Sequence, residues 1–431
     1  MSLAQTKSLR SHAREIFMRA VEAADPARAL RNQLVAHPFP QIGAGGGTIL
    51  IAIGKAAPAM LAEALKHVHG PHVALAVTHY ENTMDVPEAT VLRAAHPVPD
   101  ENGLDAGRRV IDHLSTARAS DQVIALISGG GSALVPAPVA GITLQDKAAL
   151  NQILLGSGLD ISTMNLIRQQ VSQLKGGGFL RHAAPAPVTA YILSDVIGDD
   201  LRAVASGPTV SPIGTPDEAR AICIEAKIWQ NLPISVREHF DRKTSDDTPI
   251  LTGTNYLIGS NRQSLSAALS AVSDEFDAAI VSDQLVGDVE AAANTIVQAF
   301  EQSPKTQPCA LLFGGETTVQ IRGSGLGGRN QELALRVARL MKQRDAQVDW
   351  AFLSGGTDGR DGPTQAAGGL VDNGTIKSIS KAGLNVEDML ANNDSFHALQ
   401  AADHILTTQA TGTNVADIQC LLFKPAEDPH P

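Results

Sequence analysis

The sequence predicts an α/β protein of two domains, each with a largely parallel, open, twisted sheet flanked by helices. A chain of 431 residues is longer than one hydrophobic core usually supports. It contains seven short apolar runs that end abruptly at glycine or aspartate, and helical periodicity follows them. Strands that alternate with helices form parallel, right-handed units. A single TIM barrel, the alternative architecture, would need eight units at more even spacing.

The seven runs contain Ile, Val, Ala and Leu without polar alternation, which is typical of strands buried on both faces. In chain order, the runs with the residues that follow them are TILIAIGKAAPAM, QVIALISGGGSALV, VTAYILSDVIGDD, NYLIGSNRQSLSAAL, DAAIVSDQLVGDVEAAA, PCALLFGGETTV and WAFLSGGTDGRDG. Ligands of open α/β sheets bind outside the carboxyl ends of the strands. We therefore expect the residues that end each run to share one sheet edge, and the active site to lie in an interdomain cleft.

The segment DRKTSDDTP, before the fourth run, is the best candidate for an interdomain linker. It is charged, rich in turn residues and free of large apolar side chains. We place the linker at 243–249, an N-terminal Rossmann-like domain at 5–242 and a C-terminal α/β domain at 250–427. The first 24 residues are expected to form an amphipathic helix with Ile16 and Ala20 on its apolar side.

Composition indicates a globular, cytoplasmic protein that acts on small molecules. The net charge of −11 and the aromatic content of 3% disfavour nucleic-acid binding, which uses basic surfaces or stacking rings. Cys223, Cys309 and Cys420 form no CxxC pair, so neither a disulfide framework nor a zinc site is expected. No stretch reaches 18 apolar residues, so we expect no membrane partner. Either a monomer or a homodimer is compatible with the sequence.

Two turns in the predicted N-terminal domain are candidate anion sites. In IAIGKAA, Lys55 stands where a helix begins, and a bound anion would offset its repulsion by the helix dipole. A solvated surface lysine is the alternative. In ISGGGSAL, Gly129, Gly130 and Gly131 allow successive N–H groups to point into one concavity, and Ser132 can cap the next helix. A tight turn without a ligand is the alternative there.

Further candidates lie at other strand ends. The segment LKGGGFLR repeats the glycine run and places Lys175 beside it. Asp195 directly follows a strand, where a carboxylate can hold Mg²⁺ or accept a hydroxyl proton. Asp358 and Asp361 lie in a glycine-rich loop that is either a magnesium site sharing substrate oxygens or a turn network. His96, between a strand and prolines, is interpreted as structural.

The loop GSGLGG raises the question of a nicotinamide cofactor. Gly323, Gly325 and Gly328 satisfy the G-x-G-x-x-G spacing. A dinucleotide site also needs an acidic residue about 20 positions later, at the end of the next strand. That strand, in WAFLSGG, ends in serine and glycine. Arg322 and Arg329 flank the loop instead, and they favour binding an anion or stabilising a transferred phosphate.

Nine short motifs follow one another along nearly the whole chain. They are GKAAPAM, SGGGSAL, LKGGG, LSDVIGDD, ASGPT, FGGETTV, GGRNQE, GGTDGRDGPT and TGTN. In this order, over residues of about 10 to 425, they resemble the class II glycerate kinases, which combine a DUF4147 domain with a MOFRL domain. The resemblance implies phosphorylation of D-glycerate to 2-phosphoglycerate by direct transfer from ATP, with Mg²⁺ as the metal.

The resemblance also assigns roles to residues. The family's essential lysine and arginine correspond to Lys55 and Arg329, and Asp195 is expected to orient or deprotonate the glycerate hydroxyl. The residues expected to bind the nucleotide or its phosphates are Ser128, Gly129, Gly130, Gly131, Ser132, Lys175, Gly325, Gly327 and Gly328. Glu316, Asn330 and Thr357 are expected to contact the substrate or to support residues that do. Asp358 is expected to bind the metal. An NAD(P)-dependent hydroxypyruvate reductase and a non-catalytic sugar-acid-binding protein remain the alternatives.

Overall fold

The structure, a computed structural model, describes residues 3–242, 251–344 and 348–426, which group into two compact units. One unit comprises Pro26–Asp195 and Asp199–Ile258 and is called the parallel unit below. The other comprises Met1–Asp25, Val196–Gly198 and Gly259–Pro431, as far as these are described, and is called the mixed unit. The predicted α/β class with two units is confirmed.

The described residues form strands and helices that alternate along much of the chain. The strands are β1 Thr48–Ile53, β2 His72–His79, β3 Thr90–Ala94, β4 Gln122–Ile127, β5 Val188–Leu193, β6 Thr254–Gly259, β7 Asp277–Ser282, β8 Gly287–Asp288, β9 Cys309–Gly315, β10 Thr317–Thr318, β11 Val348–Gly356, β12 Gly368–Asp372, β13 Ile405–Leu406 and β14 Asp417–Pro425. The helices are α1 Leu3–Ala23, α2 Pro26–Ala36, α3 Ala57–Leu65, α4 Glu101–Ser115, α5 Gly131–Leu134, α6 Leu144–Leu155, α7 Ile161–Gln170, α8 Gly178–Ala183, α9 Pro216–Glu225, α10 Ile234–Asp241, α11 Asn261–Ala271, α12 Val289–Gln302, α13 Arg329–Gln343, α14 Thr375–Lys381, α15 Val386–Ala391 and α16 Ser395–Ala401. Each of the seven predicted apolar runs contains a strand.

The sheet of the parallel unit has the strand order β3-β2-β1-β4-β5-β6. The four pairings from β3 to β5 are parallel. Every residue of β1, β4 and β5 is buried, as expected for strands covered on both faces. The strand order reverses between β1 and β4, and the crevice outside the carboxyl ends of two such strands is the usual ligand position in this architecture.

A helical layer in the parallel unit has an apolar core of its own. It is built by α6, α7, α9 and α10, with Leu150, Leu154, Ile167 and Phe240 among its buried residues. Both α6 and α9 begin with a capping box, in which an N-cap threonine and an acidic residue three positions later satisfy each other's backbone N–H groups. These caps fix where the two helices begin, and therefore which side chains they direct into the layer.

The sheet of the mixed unit has the order β13-β12-β11-β14-β9-β7. Of the five pairings described, the one between β7 and β9 is parallel and the other four are antiparallel. The prediction of a largely parallel sheet is therefore wrong for this unit. Strands β7, β9 and β11 do run in one direction, but β14 lies between β9 and β11 and runs opposite to both. The sequence predicted β7, β9 and β11, which run in one direction, but it did not predict β14, which lies between β9 and β11.

Both faces of the mixed sheet are covered. Along β11, Trp350 and Phe352 belong to the apolar cluster on the face of α12 and α13, whereas Ala351 and Leu353 belong to the cluster that contains α1 and α11. This alternation follows from the two-residue period of a strand. The N-terminal helix is amphipathic as predicted, and Ile16 is one of its residues buried against this sheet.

The observed partition differs from the predicted domains at two elements. Helix α1 belongs to the mixed unit, because its apolar side is buried against that sheet. Strand β6 extends the sheet of the parallel unit, although the sequence placed it in the C-terminal domain. The predicted linker at 243–249 lies outside the described residues. No helix in the described part of the chain combines the length and the apolarity required to cross a bilayer.

Candidate active site

Lys55 and the glycine loop 129–131 lie together where β1 and β4 end. Gly54 has a φ of +129°, and a Cβ at this position would lie 2.1 Å from the Oγ atom of Ser128. Only glycine therefore allows the two turns to approach so closely. The backbone N–H of Lys55 donates to the carbonyl oxygen of Gly129 at 2.9 Å. The start of the lysine side chain is thus fixed to the glycine loop.

The glycine loop presents unused hydrogen-bond donors. Within the three described ranges, the backbone N–H groups of Gly129, Gly130 and Gly131 donate to no acceptor. Gly130 has a φ of +83°, and the Cγ atom of Lys55 is 3.3 Å from the position that a Cβ would take on it. Three free donors beside an amine form a concavity suited to an anion.

Asp195 approaches the same loop from β5. A Cβ on Gly129 would lie 2.1 Å from the Oδ2 atom of Asp195, so the half-buried carboxyl lies directly against the glycine. The parallel pairing of β4 and β5 brings the ends of these strands together. Burial raises the pKa of Asp195, while its own backbone N–H and Lys55 oppose the rise. A carboxyl group with a raised pKa is suited to accept a proton near neutral pH.

His96 contacts this concavity, a position that sequence reasoning missed when it interpreted the residue as structural. Its Nε2 atom is 3.3 Å from where a Cβ would stand on Gly130, beside Lys55. Burial, Lys55 and His79 lower the pKa of His96 to about 4, so the imidazole is neutral at pH 7. The residue follows β3, an edge strand that the search for apolar runs also missed. A histidine next to a strand end was the signal available in the sequence.

The remaining candidates of the parallel unit are buried or hydrogen-bonded to other residues of the protein. Ser128 is buried, and its hydroxyl accepts a hydrogen bond from the N–H of Ala56 at 3.1 Å; phosphate binding by this serine stays a prediction. The hydroxyl of Ser132 shares a hydrogen bond of 2.6 Å with that of Ser206. Lys175 is only 7% exposed, and its amine makes no hydrogen bond to the residues that the structure describes.

In the mixed unit, two carboxylates hold the guanidinium of Arg329, the first residue of α13. Its Nε and Nη2 atoms lie 2.6 and 2.9 Å from the two carboxylate oxygens of Asp417. Its Nη1 atom lies 2.9 Å from an oxygen of Glu316. Burial alone would lower the pKa of Arg329, but the two carboxylates raise it above its usual value. They also offset the repulsion between a cation and the N-terminus of a helix.

Asp417 is a second residue that sequence reasoning missed. It is the first residue of β14, and it pairs with Gly315 at the end of β9 and with Gly356 at the end of β11. Because β14 runs opposite to both neighbours, its first residue lies where their carboxyl ends lie. The side chain is fully buried. The available signal was an aspartate immediately before the apolar run that forms β14.

Thr357 and Asn330 support this arrangement from within. Both are fully buried, so of the two predicted roles, contact with the substrate or support of contacting residues, they fit the second. The hydroxyl of Thr357 donates to the carbonyl oxygen of Ala416 at 2.7 Å, which fixes the chain just before β14. The side-chain oxygen of Asn330 accepts from the hydroxyl of Ser354 at 2.6 Å and ties α13 to β11.

Asp361 determines where α13 begins. Its carboxylate accepts hydrogen bonds from the backbone N–H groups of Asn330 and Gln331 at 3.0 and 2.8 Å. These donors would otherwise be unsatisfied at the helix start. Burial raises the pKa of Asp361 to about 6, against the effect of these hydrogen bonds. The position of Arg329 at the helix terminus therefore depends on this cap.

The glycines of the loop 323–328 serve close packing. The backbone N–H groups of residues 322–326 all donate to the segment 392–394, and that of Gly325 donates to the carbonyl oxygen of Asn392 at 2.9 Å. Gly325 therefore presents no free N–H group, contrary to the prediction. A Cβ on Gly327 or Gly328 would collide with a neighbouring side chain at 2.2 or 2.3 Å. Phosphate binding by these two glycines stays a prediction.

Asp358, the predicted magnesium ligand, is half-buried, and its Oδ1 atom accepts a hydrogen bond of 3.0 Å from the N–H of Arg360. Among the described residues, no three His, Cys, Asp or Glu side chains are placed to hold a metal ion together. Magnesium is commonly bound through one or two carboxylates plus the phosphates of a nucleotide. Asp358 therefore fits as one carboxylate ligand of a magnesium ion that phosphates also hold.

Comparisons with known proteins agree with this organisation. The profile of the family described as "Domain of unknown function (DUF4147)" matches residues 12–241, and that of the MOFRL family matches residues 309–417. The chain is 36% identical to the D-glycerate 2-kinase of Thermotoga maritima, over 96% of this chain and 98% of the relative. It is 38% identical to the glycerate 2-kinase of Pyrococcus horikoshii, over 94% and 96%.

The similarity extends to a vertebrate relative and to a solved structure. Identity to the human glycerate kinase is 34%, over 98% of this chain and 95% of the relative. The crystal structure of the glycerate kinase from Thermotoga maritima matches with a TM-score of 0.87 at 35% identity, over 96% of this chain and 99% of that chain. Because both family profiles match in order and the relatives are similar over nearly their whole length, the chain belongs to the glycerate kinase family.

Proposed function

We propose that this chain transfers the γ-phosphoryl group of ATP to the 2-hydroxyl group of D-glycerate. The observation that carries the proposal is the concavity at the ends of β1 and β4. Three N–H groups that have no acceptor among the described residues lie there, beside Lys55 and against Asp195. The relatives named D-glycerate 2-kinase and glycerate 2-kinase support the choice of substrate and of hydroxyl group.

The glycine loop and Lys55 are proposed to bind the phosphates of the nucleotide. The N–H groups of Gly129, Gly130 and Gly131 donate to phosphate oxygens without a side chain in the way. The ammonium group of Lys55 neutralises charge on the phosphates. The neutral ring of His96 adds no charge of its own. The hydroxyl of Ser132, half-buried and paired with Ser206, lies at the end of the loop and is available to a phosphate by rotation.

Asp195 is proposed to act on the substrate hydroxyl. Its carboxylate accepts the proton of the 2-hydroxyl group as the hydroxyl oxygen forms a bond to the γ-phosphorus, and the bond from that phosphorus to the bridging oxygen of ADP breaks. Burial favours the protonated form of Asp195, which makes its carboxylate a stronger base than an exposed aspartate. No covalent intermediate with the protein is needed.

Arg329 is proposed to stabilise the negative charge on the transferring phosphoryl group, as donors aimed at a developing charge do. Asp417 holds the guanidinium through two hydrogen bonds, so the orientation of the planar group is set before the substrate binds. The ion pair with Glu316 is more exposed and occupies the remaining side of the guanidinium. A phosphoryl oxygen is proposed to replace Glu316 there.

Magnesium is proposed to reach the protein with ATP, with Asp358 as a ligand from the chain. When bound, the ion would supply positive charge that offsets the negative charge of the phosphates.

Product analysis tests the proposal directly. The purified protein is incubated with ATP, Mg²⁺ and either enantiomer of glycerate, and the products are identified by phosphorus NMR. We expect equal amounts of ADP and 2-phosphoglycerate from D-glycerate, and no product from L-glycerate. Oxidation of NADH by hydroxypyruvate, without transfer from ATP, would identify a reductase instead. Binding of D-glycerate without turnover of ATP would identify a binding protein.

A further inference from the structure

Three positively charged side chains meet in the helical layer of the parallel unit. Lys147 lies on α6 at the positions that also direct Leu150 and Leu154 into the apolar cluster. Arg168 lies near the end of α7, and Lys175 follows in the loop before α8. Lysine and arginine at inward-facing positions are costly unless they are paired. We call Lys147, Arg168 and Lys175 the cation cluster.

Within the described residues, Lys147 and Arg168 donate hydrogen bonds only to neutral groups, and the amine of Lys175 donates none. The ammonium of Lys147 donates to the carbonyl oxygen of Val171 at 3.3 Å. The guanidinium of Arg168 donates to the side-chain oxygens of Asn151 and Asn165 at 2.5 and 3.4 Å, while its buried Nε atom has no partner among the described residues. Lys175 is more than nine-tenths buried, and its amine has no hydrogen bond within the described ranges.

The cation cluster lacks a compensating negative charge. In the part of the chain that the structure describes, no carboxylate forms an ion pair with Lys147, Arg168 or Lys175. The charged groups that act on them are one another: burial and Arg168 lower the pKa of Lys175 to about 7, and burial, Lys175 and Arg168 lower the pKa of Lys147. The guanidinium of Arg168 cannot lose its proton in this way. Such an arrangement is stabilised by an anion.

The backbone connects the cation cluster to the glycine loop. The N–H of Gly176, next to Lys175, donates to the carbonyl oxygen of Ser206 at 3.1 Å. The hydroxyl of Ser206 in turn shares the hydrogen bond with Ser132, at the end of the loop 129–131. Lys147 and Arg168 are half-buried, so part of each residue is exposed to solvent.

We propose that Lys147, Arg168 and Lys175 form a second anion site, which binds a phosphate group. A guanidinium and two ammonium groups match the charge and the donor needs of a phosphate dianion. The phosphate belongs either to a nucleotide or to a phosphorylated sugar acid, which offer the same chemistry to these residues. The inference concerns binding and holds whether or not the chain catalyses phosphoryl transfer.

The test uses the full chain carrying Lys55→Met, which removes the cation beside the glycine loop and so reports on the cation cluster. Thermal unfolding is measured in inorganic phosphate and in chloride at equal ionic strength. We expect phosphate to raise the Tm by about 2 °C or more, and the rise to vanish when Lys175→Met or Lys147→Met is added. The exposed Lys227→Met in the same unit is the matched control and should leave the rise intact.

A second readout separates an anion site from a structural lysine. Without phosphate and below the Lys175 pKa of about 7, where its amine is charged, Lys175→Met removes an unpaired buried charge. This variant should then unfold at a higher temperature than its parent, whereas loss of a structural lysine would lower the Tm. If Lys175→Met does not fold, the same comparison is made with the half-buried Lys147→Met. A phosphate-induced rise that persists in both methionine variants, or no rise in the parent, would overturn the proposal.

Titration with ATP, ADP, 2-phosphoglycerate and D-glycerate identifies the carrier of the phosphate. The first three contain a phosphate group and D-glycerate does not, so D-glycerate should not reproduce the effect of phosphate at the cation cluster. If the protein shows the phosphate effect but transfers no phosphoryl group to glycerate, the proposed function fails and the anion site stands.

Discussion

The substitution Asp417→Asn tests whether turnover depends on the orientation that the Asp417 carboxylate gives to the guanidinium of Arg329. It keeps the shape of the side chain and removes its charge. In the wild type, Arg329 donates two hydrogen bonds to the carboxylate, at 2.6 and 2.9 Å. An amide can accept one of them, and its NH₂ group then faces a guanidinium that can only donate. Arg329 retains the ion pair with Glu316, whose side chain is 47% exposed.

The expected magnitudes follow from burial. Removing one partner of a buried ion pair costs about 3–5 kcal/mol. The side chain of Arg329 is 34% exposed and keeps its second carboxylate, so we expect the free energy of unfolding to fall by less, about 2 kcal/mol. If Arg329 stabilises the transferring phosphoryl group, its loss of orientation lowers kcat by about a hundredfold to a thousandfold.

The pair of Arg10 with Asp372 provides a matched control in the same unit. Its atoms are 2.8 Å apart, and its side chains are 21% and 8% exposed. Asp372→Asn should therefore destabilise the protein to a similar extent but leave kcat close to the wild-type value. Urea unfolding measures stability, and release of ADP in the presence of D-glycerate measures kcat. If both variants remain folded and lose activity equally, or if Asp417→Asn keeps wild-type kcat, the reasoning is refuted.

Three further substitutions test the other parts of the proposal. Lys55→Met should lower kcat by about a hundredfold or more while the protein stays folded, and near-normal turnover in the kinase assay would contradict the role of this lysine. Gly129→Ala would place a Cβ 2.1 Å from the Oδ2 atom of Asp195, so it should reduce activity severely, whereas Gly156→Ala, with its nearest neighbour at 3.6 Å, should not. Because burial raises the pKa of Asp361 from 3.8 to about 6, the folded state holds that proton more tightly, and stability should fall by up to about 3 kcal/mol as the pH rises from about 4 to about 6. Urea unfolding across this range should show that the free energy of unfolding of the wild type has a dependence on pH that the Asp361→Asn variant lacks. The same pH dependence in both proteins would disprove the role of Asp361.

The strands that sequence reasoning found, and those that it missed, differ in how they are connected. The seven predicted runs are continuous in apolar residues and end in glycine or aspartate, so burial and turn chemistry mark them locally. Strands β2 and β3 follow each other without a helix between them and carry polar residues at their ends. Strand β14 is as apolar as the predicted runs. Its direction, however, depends on its position between β9 and β11, which no local pattern encodes.

Runs of glycine show how one sequence pattern can arise from two physical requirements. In the loop 129–131, glycine leaves backbone N–H groups without acceptors and allows Asp195 to approach. In the loop 323–328, glycine allows the chain to lie against residues 392–395, which consume most of the N–H groups. The sequence predicts close backbone approach in both places. It does not say whether the approaching group is the protein itself or a ligand.

Asp417 could be assigned a role only from the strand register. The residue is 88 positions from Arg329, and its neighbours at the ends of β9 and β11 are set by the insertion of β14. The sequence identified the arginine through its motif and left open what holds it. Polar residues that orient a functional side chain are recognised by contacts across the fold, and such contacts lie beyond the reach of periodicity and spacing.

Lys55 and Arg329 differ in what surrounds them, which suggests different tasks in one reaction. Lys55 lies beside three free N–H donors and, among the described residues, in no ion pair, so its surroundings attract an anion from the outset. The guanidinium of Arg329 is paired with two carboxylates, which together outweigh its charge. We propose that a phosphate reaches Arg329 by displacing Glu316, a half-exposed partner whose ion pair is worth about 1 kcal/mol or less. In the proposed reaction, binding energy is available at Lys55 when ATP arrives, whereas the interaction with Arg329 is proposed to become favourable as charge builds up on the transferring group. Interactions that strengthen towards the transition state accelerate a reaction, while those already complete in the bound substrate do not. The fully buried Asp417 is proposed to hold the guanidinium in the orientation that this step requires.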